Sequence, residues 1–399
     1  VKFGGSSLAN CERIAAAAKT IAKKAGQGVG VVVVVSAIGK TTDQLLGLIA
    51  NKKGNSISQK DLDDILAMGE RTSVRVFAAA LKSEGLHAKY FDPSDEDWPI
   101  ITDEKFSDAN PIVNECHKRI TQYVIPILDA GIIPVIAGFI GRTISGKVTT
   151  IGRGGSDTTA LILARAINAE EVVLVTNTDG IMTADPKIIP DAKQLDMIDV
   201  VTLMKLADSG TKFIHRKALR FKDPDIPVRV VNQEAGDLDA KGTIITGGFP
   251  REIEVTMASQ EPCLSATLAG EEISSNPHII QKVVEETKKT QVLGLSADLD
   301  SMILYLPEKD SDSVLAALHR PVIEYQEAKG LAVRKGLAFL KIRGVGLEDT
   351  PGIISKVSGT LRENGINIFG IFTVASSILL FVSWEDRVAA LKCIENALR

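Results

Sequence analysis

Cysteine, aromatic residues and histidine are all sparse in this chain of 399 residues. Its four cysteines, Cys11, Cys116, Cys263 and Cys393, lie far apart with no C-x-x-C spacing. That argues against a disulfide frame or a structural zinc site, and for reduced thiols in a cytosol-like, cytoplasmic compartment. Phe, Trp and Tyr make up 5% of the residues and no Lys/Arg cluster occurs, so neither a base-stacking platform nor a basic footprint for nucleic acid is expected. The longest apolar runs, Val29–Ile38 and Gly131–Ile140, are too short to span a bilayer, which excludes a helical membrane anchor within this sequence. No signal-peptide pattern is visible; the chain opens inside a strand, which leaves a preceding targeting segment open. The five scattered histidines form no Ser-His-Asp, Cys-His or metal-spaced pattern. A charged fraction of 24% and a net charge of −4 are those of an ordinary globular protein, long enough for two or three domains.

Glycine is what the chain has in telling places. Thr149-Thr150-Ile151-Gly152-Arg153-Gly154-Gly155-Ser156-Asp157 surrounds an arginine with glycines and runs into an amphipathic segment, with Ala160, Leu163, Ala164 and Ile167 at helical spacing. Glycines let backbone N–H groups approach an anion, and a helix N-terminus adds a favourable dipole. Ser156 is placed to act as N-cap and Asp157 suits the first turn. The guanidinium of Arg153 matches a carboxylate or phosphate. A second loop, Lys2-Phe3-Gly4-Gly5-Ser6-Ser7, follows a strand and precedes a helix expected from Ala9 to Ala25. It is not a Walker A loop, because the lysine precedes the glycines. Either loop alone reads equally as a tight turn; two of them, each beside a cation, point to an anionic ligand.

From Val1 to about Gly248, apolar runs alternate with helical patterns. Val29–Ser36, Ile132–Gly138, Glu171–Thr176 and Ile226–Asn232 read as buried parallel strands; Asp61–Leu81, Asn110–Ala130 and Thr159–Asn168 read as helices. This predicts an α/β class, a three-layer α/β/α sandwich with ligand loops at the carboxyl ends of the strands. The texture changes near Gly248. Beyond it the chain repeats: Gly294–Leu306 aligns with Gly370–Val382, 76 residues on. A helix starting at Pro277 or Pro351 precedes each copy, and a second helix, Asp312–Leu318 or Glu385–Leu398, follows it. Two ferredoxin-like βαββαβ units are the natural reading. Arg251–Met257 supplies the strand that the second copy lacks, so the first unit (259–328) is inserted between 251–257 and 333–399 of the second.

Other polar groups fall near the expected strand ends. Glu70, within Gly69-Glu70-Arg71-Thr72 on a helical pattern, suits an ammonium group or a surface ion pair. Lys212 stands in Gly210–His215, and Thr176-Asn177-Thr178-Asp179-Gly180 directly follows a strand. With no general base in view, a substrate carboxylate as nucleophile would suit the chain. An ordinary aspartate-like carboxyl, with a pKa of about 3.9, is already ionised at neutral pH.

In combination these segments resemble the aspartate kinase family of amino acid kinases. Lys2–Ser7, Val35-Ser36-Ala37, Gly69-Glu70-Arg71, Gly138-Phe139-Ile140-Gly141, Thr149–Asp157, Thr183-Ala184-Asp185-Pro186 and Gly210–His215 occur in the family's order. The C-terminal half, 249–399, resembles the family's pair of ACT domains, and 1–248 its kinase domain. The resemblance implies ATP with Mg²⁺, the ion held mainly by the phosphates, and L-aspartate phosphorylated on its β-carboxylate. Lys2 and Lys212 would meet the ATP phosphates, with Asp157 holding both lysines. Gly4, Gly5, Ser6, Gly154 and Gly155 would line the phosphate side. Arg153 would fork onto the α-carboxylate and Glu70 take the α-ammonium, with Ser36, Thr42 and Ser156 near the reacting carboxylate. Thr176, Asn177, Asp179, Met182 and Lys187 would be nucleotide contacts. Asn177, Met182 and Arg216 stand where the family usually has Asp, Tyr and Pro; the first two bear on ATP affinity rather than on reaction type.

The resemblance further implies a homodimer or larger assembly through the ACT units and feedback by lysine or threonine, although no effector signature is visible. Two alternatives fit the same residues. One is a related kinase acting on glutamate or acetylglutamate; the other is a decayed kinase serving as an amino-acid sensor.

Overall fold

The computed structural model describes residues 1–49, 57–207, 214–248, 253–288, 290–344, 347, 351–374 and 376–398. Two compact units divide the chain, Val1–Arg251 and Glu252–Arg399.

The first unit contains β1 (Lys2–Phe3), β2 (Val33–Val35), β3 (Ala88–Phe91), β4 (Ile101–Thr102), β5 (Ile133–Ala137), β6 (Ile140–Thr143), β7 (Val148–Thr150), β8 (Val172–Thr176), β9 (Met197–Asp199), β10 (Val228–Asn232) and β11 (Thr243–Thr246). Its helices are α1 (Cys11–Ala25), α2 (Thr41–Ile49), α3 (Gln59–Ser83), α4 (Val113–Arg119), α5 (Ile125–Asp129), α6 (Gly155–Ala166), α7 (Val200–Ala207) and α8 (Arg216–Leu219). Eight strands form one sheet in the order β3-β5-β2-β1-β8-β10-β11-β9, parallel except where β10 meets β11. The strands β2 and β5 are apolar and buried throughout, as parallel strands covered on both faces must be. Neighbours along β1 point to opposite faces. Phe3 packs on Phe77 of α3, with ring centroids 5.3 Å apart. Lys2 turns the other way and reaches Asp157 of α6. The helices α3 and α6 therefore cover opposite sides of the sheet, which makes the sandwich three layers deep. A small separate sheet, β4-β6-β7, feeds the loop that enters α6.

Ser58 caps α3 by accepting the N–H of Asp61, and the helix buries Leu66, Val74, Phe77 and Leu81 against the sheet. Gly69 lets α3 come close to the end of β2, since a Cβ there would lie 2.9 Å from that of Ala37.

Several local expectations are corrected. Ser156 is not the N-cap of α6: the helix begins one residue earlier, and Gly154, at φ +74, occupies the cap with no side-chain bond. Ser156 faces the cleft, its Oγ 3.0 Å from Ser36 Oγ. The first helix starts at Cys11, not Ala9, because Asn10 caps it by accepting the N–H of Arg13 and a 3₁₀ turn, Gly5–Leu8, comes first. The 110–130 helix is interrupted by a π turn at Ile120–Val124, just before Pro126, which has no N–H to give. All four cysteines are free, and burial pushes the Cys116 and Cys263 thiols up to about 12. Among the described residues no helix is long and apolar enough to cross a membrane.

The second unit contains β12 (Glu254–Met257), β13 (Cys263–Gly270), β14 (Gly294–Ala297), β15 (Ser301–Pro307), β16 (Ala328–Arg343), β17 (Gly370–Thr373) and β18 (Ser377–Ser383). Its helices are α9 (Pro277–Glu286), α10 (Asp312–Glu324), α11 (Ile353–Glu363) and α12 (Arg387–Leu398). The structure carries the same repeat, since β14 and β15 map onto β17 and β18 with identical boundaries after the 76-residue shift. One long strand serves both copies. The first part of β16 pairs with β13; its last part, Leu337–Arg343, pairs with β18 and, over Leu340–Arg343, with β12. A register shift at the junction coincides with Gly336 at φ +70. Nothing in the sequence pattern announces that one strand is shared. Pro277 opens α9 as expected, but α11 starts at Ile353, after Gly352 in a left-handed cap, so Pro351 lies outside it.

Separate cores lie under the helices of each copy, around Leu268, Ile279 and Leu304 and around Leu340, Val357 and Ile394. A third cluster, with Tyr305, Phe339 and Phe381, joins the two copies. Tyr305 and Phe381 are repeat-equivalent and stack on each other, with ring centroids 3.8 Å apart.

Candidate active site

Because β1, β2 and β5 are parallel, their carboxyl ends open onto one edge of the sheet, where loop geometry can gather polar groups. A cleft of about 320 Å³ lies there. The turn after β1 contributes Gly5, the segment after β2 contributes Ser36, Ala37 and Gly39, and Phe139 follows β5. Thr42 comes from α2, Glu70 from α3, and Gly152–Asp157 from the arginine loop and the first turn of α6. Lys2 completes the wall, its Nζ 2.7 Å from Asp157 Oδ1. The N-terminus of α6 thus opens into the cleft with a cation beside it, a ready anion site.

Glu70 is 3% exposed. Its Oε1 accepts the N–H of Ala37 at 3.1 Å, while Oε2 is buried without a partner. Burial pushes the Glu70 carboxyl up to about 7, partly offset by the Ala37 N–H. A buried carboxylate oxygen left unsatisfied is costly, and a cationic ligand would relieve it. Arg153 is exposed at the cleft and makes no ion pair with another described residue. The wall is tight where glycines stand. A Cβ on Gly5 would lie 2.8 Å from Ala37 O, and one on Gly154, already at positive φ, 2.3 Å from His215 Cβ.

The structure thus brings together Lys2, Gly5, Ser36, Thr42, Glu70, Arg153, Gly154, Gly155, Ser156 and Asp157. Gly4 lies beside this wall, with Lys2 Nζ within 4 Å of its would-be Cβ, while the Ser6 carbonyl accepts from Arg13. Thr176 ends β8 further along the same edge and Asn177 and Asp179 follow it, Asp179 Oδ1 accepting from Asn232 Nδ2 at 2.7 Å. Met182 bridges to Gln194, and the Lys187 N–H bonds Asp185; neither residue lines the cleft. Lys212 lies outside the described residues.

Ala37, Gly39, Phe139 and Gly152 also line the cleft, and sequence reasoning does not single them out as site residues. Phe139 carries a left-handed φ of +67, unusual for a residue with a side chain, and nothing in its sequence context signals it. No group of three or more His, Cys, Asp or Glu among the described residues is placed to hold a metal ion, and Asp157 is already paired with Lys2. A protein-held Mg²⁺ does not fit this donor set; its ligands would have to be phosphate oxygens.

A sheet edge with two glycine turns, a helix N-terminus and a paired lysine defines a binding protein for small phosphate- or carboxylate-bearing molecules. The amino acid kinase family model matches residues 1–232, so the chain belongs to that family; an ACT domain model matches residues 332–396. The aspartokinase of Geobacillus stearothermophilus is 31% identical over 409 residues, covering 99% of this chain and 96% of that protein. That of Thermus thermophilus is 31% identical over 416 residues, covering 99% and 97%. Within the amino acid kinases the chain belongs to the aspartokinases. Among solved structures, the aspartate kinase from Synechocystis superposes with a TM-score of 0.78 at 27% identity, covering all of this chain and 68% of that one. E. coli aspartokinase III in complex with aspartate and ADP shares the fold, at TM-score 0.57 and 23% identity over 100% and 98% of the two chains.

Proposed function

We propose that this chain transfers the γ-phosphoryl group of ATP to the β-carboxylate of L-aspartate, yielding 4-phospho-L-aspartate and ADP, the acyl phosphate that opens the route to lysine, threonine and methionine. The observation that carries the reading is the presence in one cleft of the orphaned Glu70 Oε2 and the exposed Arg153 guanidinium, beside the Lys2–Asp157 pair. A carboxylate anion needs no general base, so the work left to the chain is positioning and charge neutralisation. Glu70 accepts the α-ammonium, and Arg153 forks onto the α-carboxylate. These two contacts leave the β-carboxylate facing Ser36, Thr42 and Ser156. Lys2, kept in place by Asp157, and the amides of Gly5, Gly154 and Gly155 neutralise the transferring phosphoryl. Lys212 is assigned to the phosphates on family resemblance alone, and so are Gly4, Ser6, Thr176, Asn177, Asp179, Met182 and Lys187 on the nucleotide side. Mg²⁺ bound to the phosphates would add charge neutralisation.

Glu70 also argues against an acetylated amino acid, whose amide nitrogen carries no charge to satisfy Oε2. The intact Lys2–Asp157 pair argues against a decayed kinase. Formation of aspartyl hydroxamate with ATP, Mg²⁺ and hydroxylamine tests the reading, with glutamate and acetylglutamate as comparison substrates. Turnover on glutamate alone, or ATP binding without transfer to any of the three, would overturn it.

The ACT domain match at 332–396, its structural repeat in the first copy, and the places of β14 and β17 at the ends of the sheet among the described residues support a homodimer or larger assembly and regulation by lysine or threonine. Sedimentation with each amino acid, followed by titration of each into the assay, tests both points. Cytoplasmic residence accords with the reduced cysteines.

A further inference from the structure

We infer that Asp63, a residue outside the cleft, positions the amino-acid substrate by anchoring the arginine loop to the same helix that carries Glu70; the inference deepens the proposed aspartate kinase reaction and rests on it. Asp63 precedes Glu70 by seven residues on α3, two turns, so both carboxylates share a face of that helix. It is 0% exposed, unusual for an aspartate within a helix. Its Oδ2 accepts the Ser107 N–H at 2.8 Å and the Thr150 N–H at 2.9 Å, while Oδ1 accepts the Thr150 hydroxyl at 2.7 Å.

Thr150 and Ile151 are the last residues before the glycine-flanked run Gly152-Arg153-Gly154. Every backbone polar group of these two residues is engaged. Thr150 N–H goes to Asp63, and Thr150 C=O accepts from Ala109 N–H at 2.9 Å. Ile151 N–H goes to Phe139 C=O at 2.8 Å, and Ile151 C=O accepts from Lys217 Nζ at 2.6 Å. Of these partners only Asp63 belongs to α3. Through Asp63 that helix therefore ties the Glu70 carboxylate directly to the root of the Arg153 loop, which Ala109, Phe139 and Lys217 brace from other elements. In the proposed reaction these two groups hold the α-ammonium and α-carboxylate of one small molecule, so their spacing decides which amino acid fits.

Asp63→Ala, Asp63→Asn and Thr150→Val separate positioning from simple stability. The asparagine can still accept both N–H bonds through its carbonyl and donate to the Thr150 hydroxyl, so it should rescue the anchor. In Asp63→Ala, hydrogen exchange of the segment 149–155 should quicken at least about tenfold while the rest of the unit keeps its protection. KM for aspartate should rise about 10–100-fold, with KM for ATP within about twofold and kcat changed less than KM. Thr150→Val, which removes only the hydroxyl bond, should raise KM for aspartate by a few-fold and serves if the alanine variant fails to fold. Unchanged exchange in 149–155 overturns the anchor. Equal rises in both KM values, or an asparagine variant as impaired as the alanine one, reduce Asp63 to a structural residue. Absence of aspartate turnover by the unmodified chain overturns the reaction and the kinetic half of the inference together, while exchange alone still decides the anchor.

Discussion

Lys2 Nζ stands 2.7 Å from Asp157 Oδ1, joining β1, inside the sheet, to the first turn of α6 in the wall of the cleft. The two side chains are only 16% and 12% exposed, so each shields the other from being an isolated charge in a poorly solvated place. Lys2→Met should lower kcat about 100–1,000-fold, as loss of a group that stabilises developing charge does. It should also destabilise the unit by about 1–3 kcal/mol by leaving Asp157 unpaired. Adding Asp157→Asn should restore melting temperature without restoring rate. ADP release and thermal unfolding measure the two separately; a Lys2→Met variant with nearly normal turnover would remove the phosphate role.

Glu70 makes activity and stability respond to pH in opposite directions. Its carboxyl is raised by burial from 4.5 to about 7. The folded state thus holds the proton more tightly than the unfolded chain, and the fold is most favoured by this group below about pH 4.5. That advantage is lost as pH rises towards 7, reaching about 3 kcal/mol in total. Aspartate binding needs the ionised form, so kcat/KM for aspartate should rise about tenfold between pH 6 and 8. Glu70→Gln should flatten that profile, weaken aspartate binding and unfold at a higher temperature than the parent at pH 8, with the stability gain absent at pH 4.5. A pH-independent kcat/KM in the parent enzyme would count against the assignment.

Arg153 is exposed and forms no ion pair with another described residue, so its removal should leave the fold intact. Arg153→Ala should raise KM for aspartate about 10–100-fold, the worth of a charge-assisted pair. Arg153→Lys should recover little, because a point charge cannot reproduce the two-pronged geometry. Unaltered aspartate kinetics in the alanine variant would refute the role.

In the second unit, Gly370 begins β17 directly against Tyr305, whose Oη would lie 2.3 Å from a Cβ at that position. The hydroxyl donates to Phe369 C=O at 2.8 Å. Gly370→Ala should destabilise this unit by about 1–3 kcal/mol through overpacking. Tyr305→Phe removes the nearest atom and should recover part of that loss, giving a non-additive double-mutant cycle in denaturant titrations. Additive effects would mean that the strand simply shifts away.

The reach of sequence reading differs from residue to residue. The 76-residue repeat is legible because each copy must bury its own alternating strand against its own helices, Met302, Leu304 and Leu306 in the first and Ile378, Leu380 and Val382 at the same spacing in the second. The glycine loops are legible because close backbone approach admits little else. Ser156 reads as a cap because a Ser after glycines looks like one; the tight contact of Gly154 with His215 places the cap two residues earlier. The register shift where β16 passes from one copy to the other falls at Gly336, which looks like any strand glycine in the sequence.

By itself, then, the sequence determined the layered α/β architecture, the internal duplication and the chemical types gathered for an anionic substrate, because periodicity and local backbone freedom are short-range properties. Family resemblance, not local spacing, implied that Asp157 would hold Lys2; only the tertiary structure decided that Glu70 would be buried with one oxygen unsatisfied and that Asp63 would bond the root of the arginine loop. Those outcomes depend on desolvation and on contacts between residues far apart in the chain, quantities that no local window of residues contains.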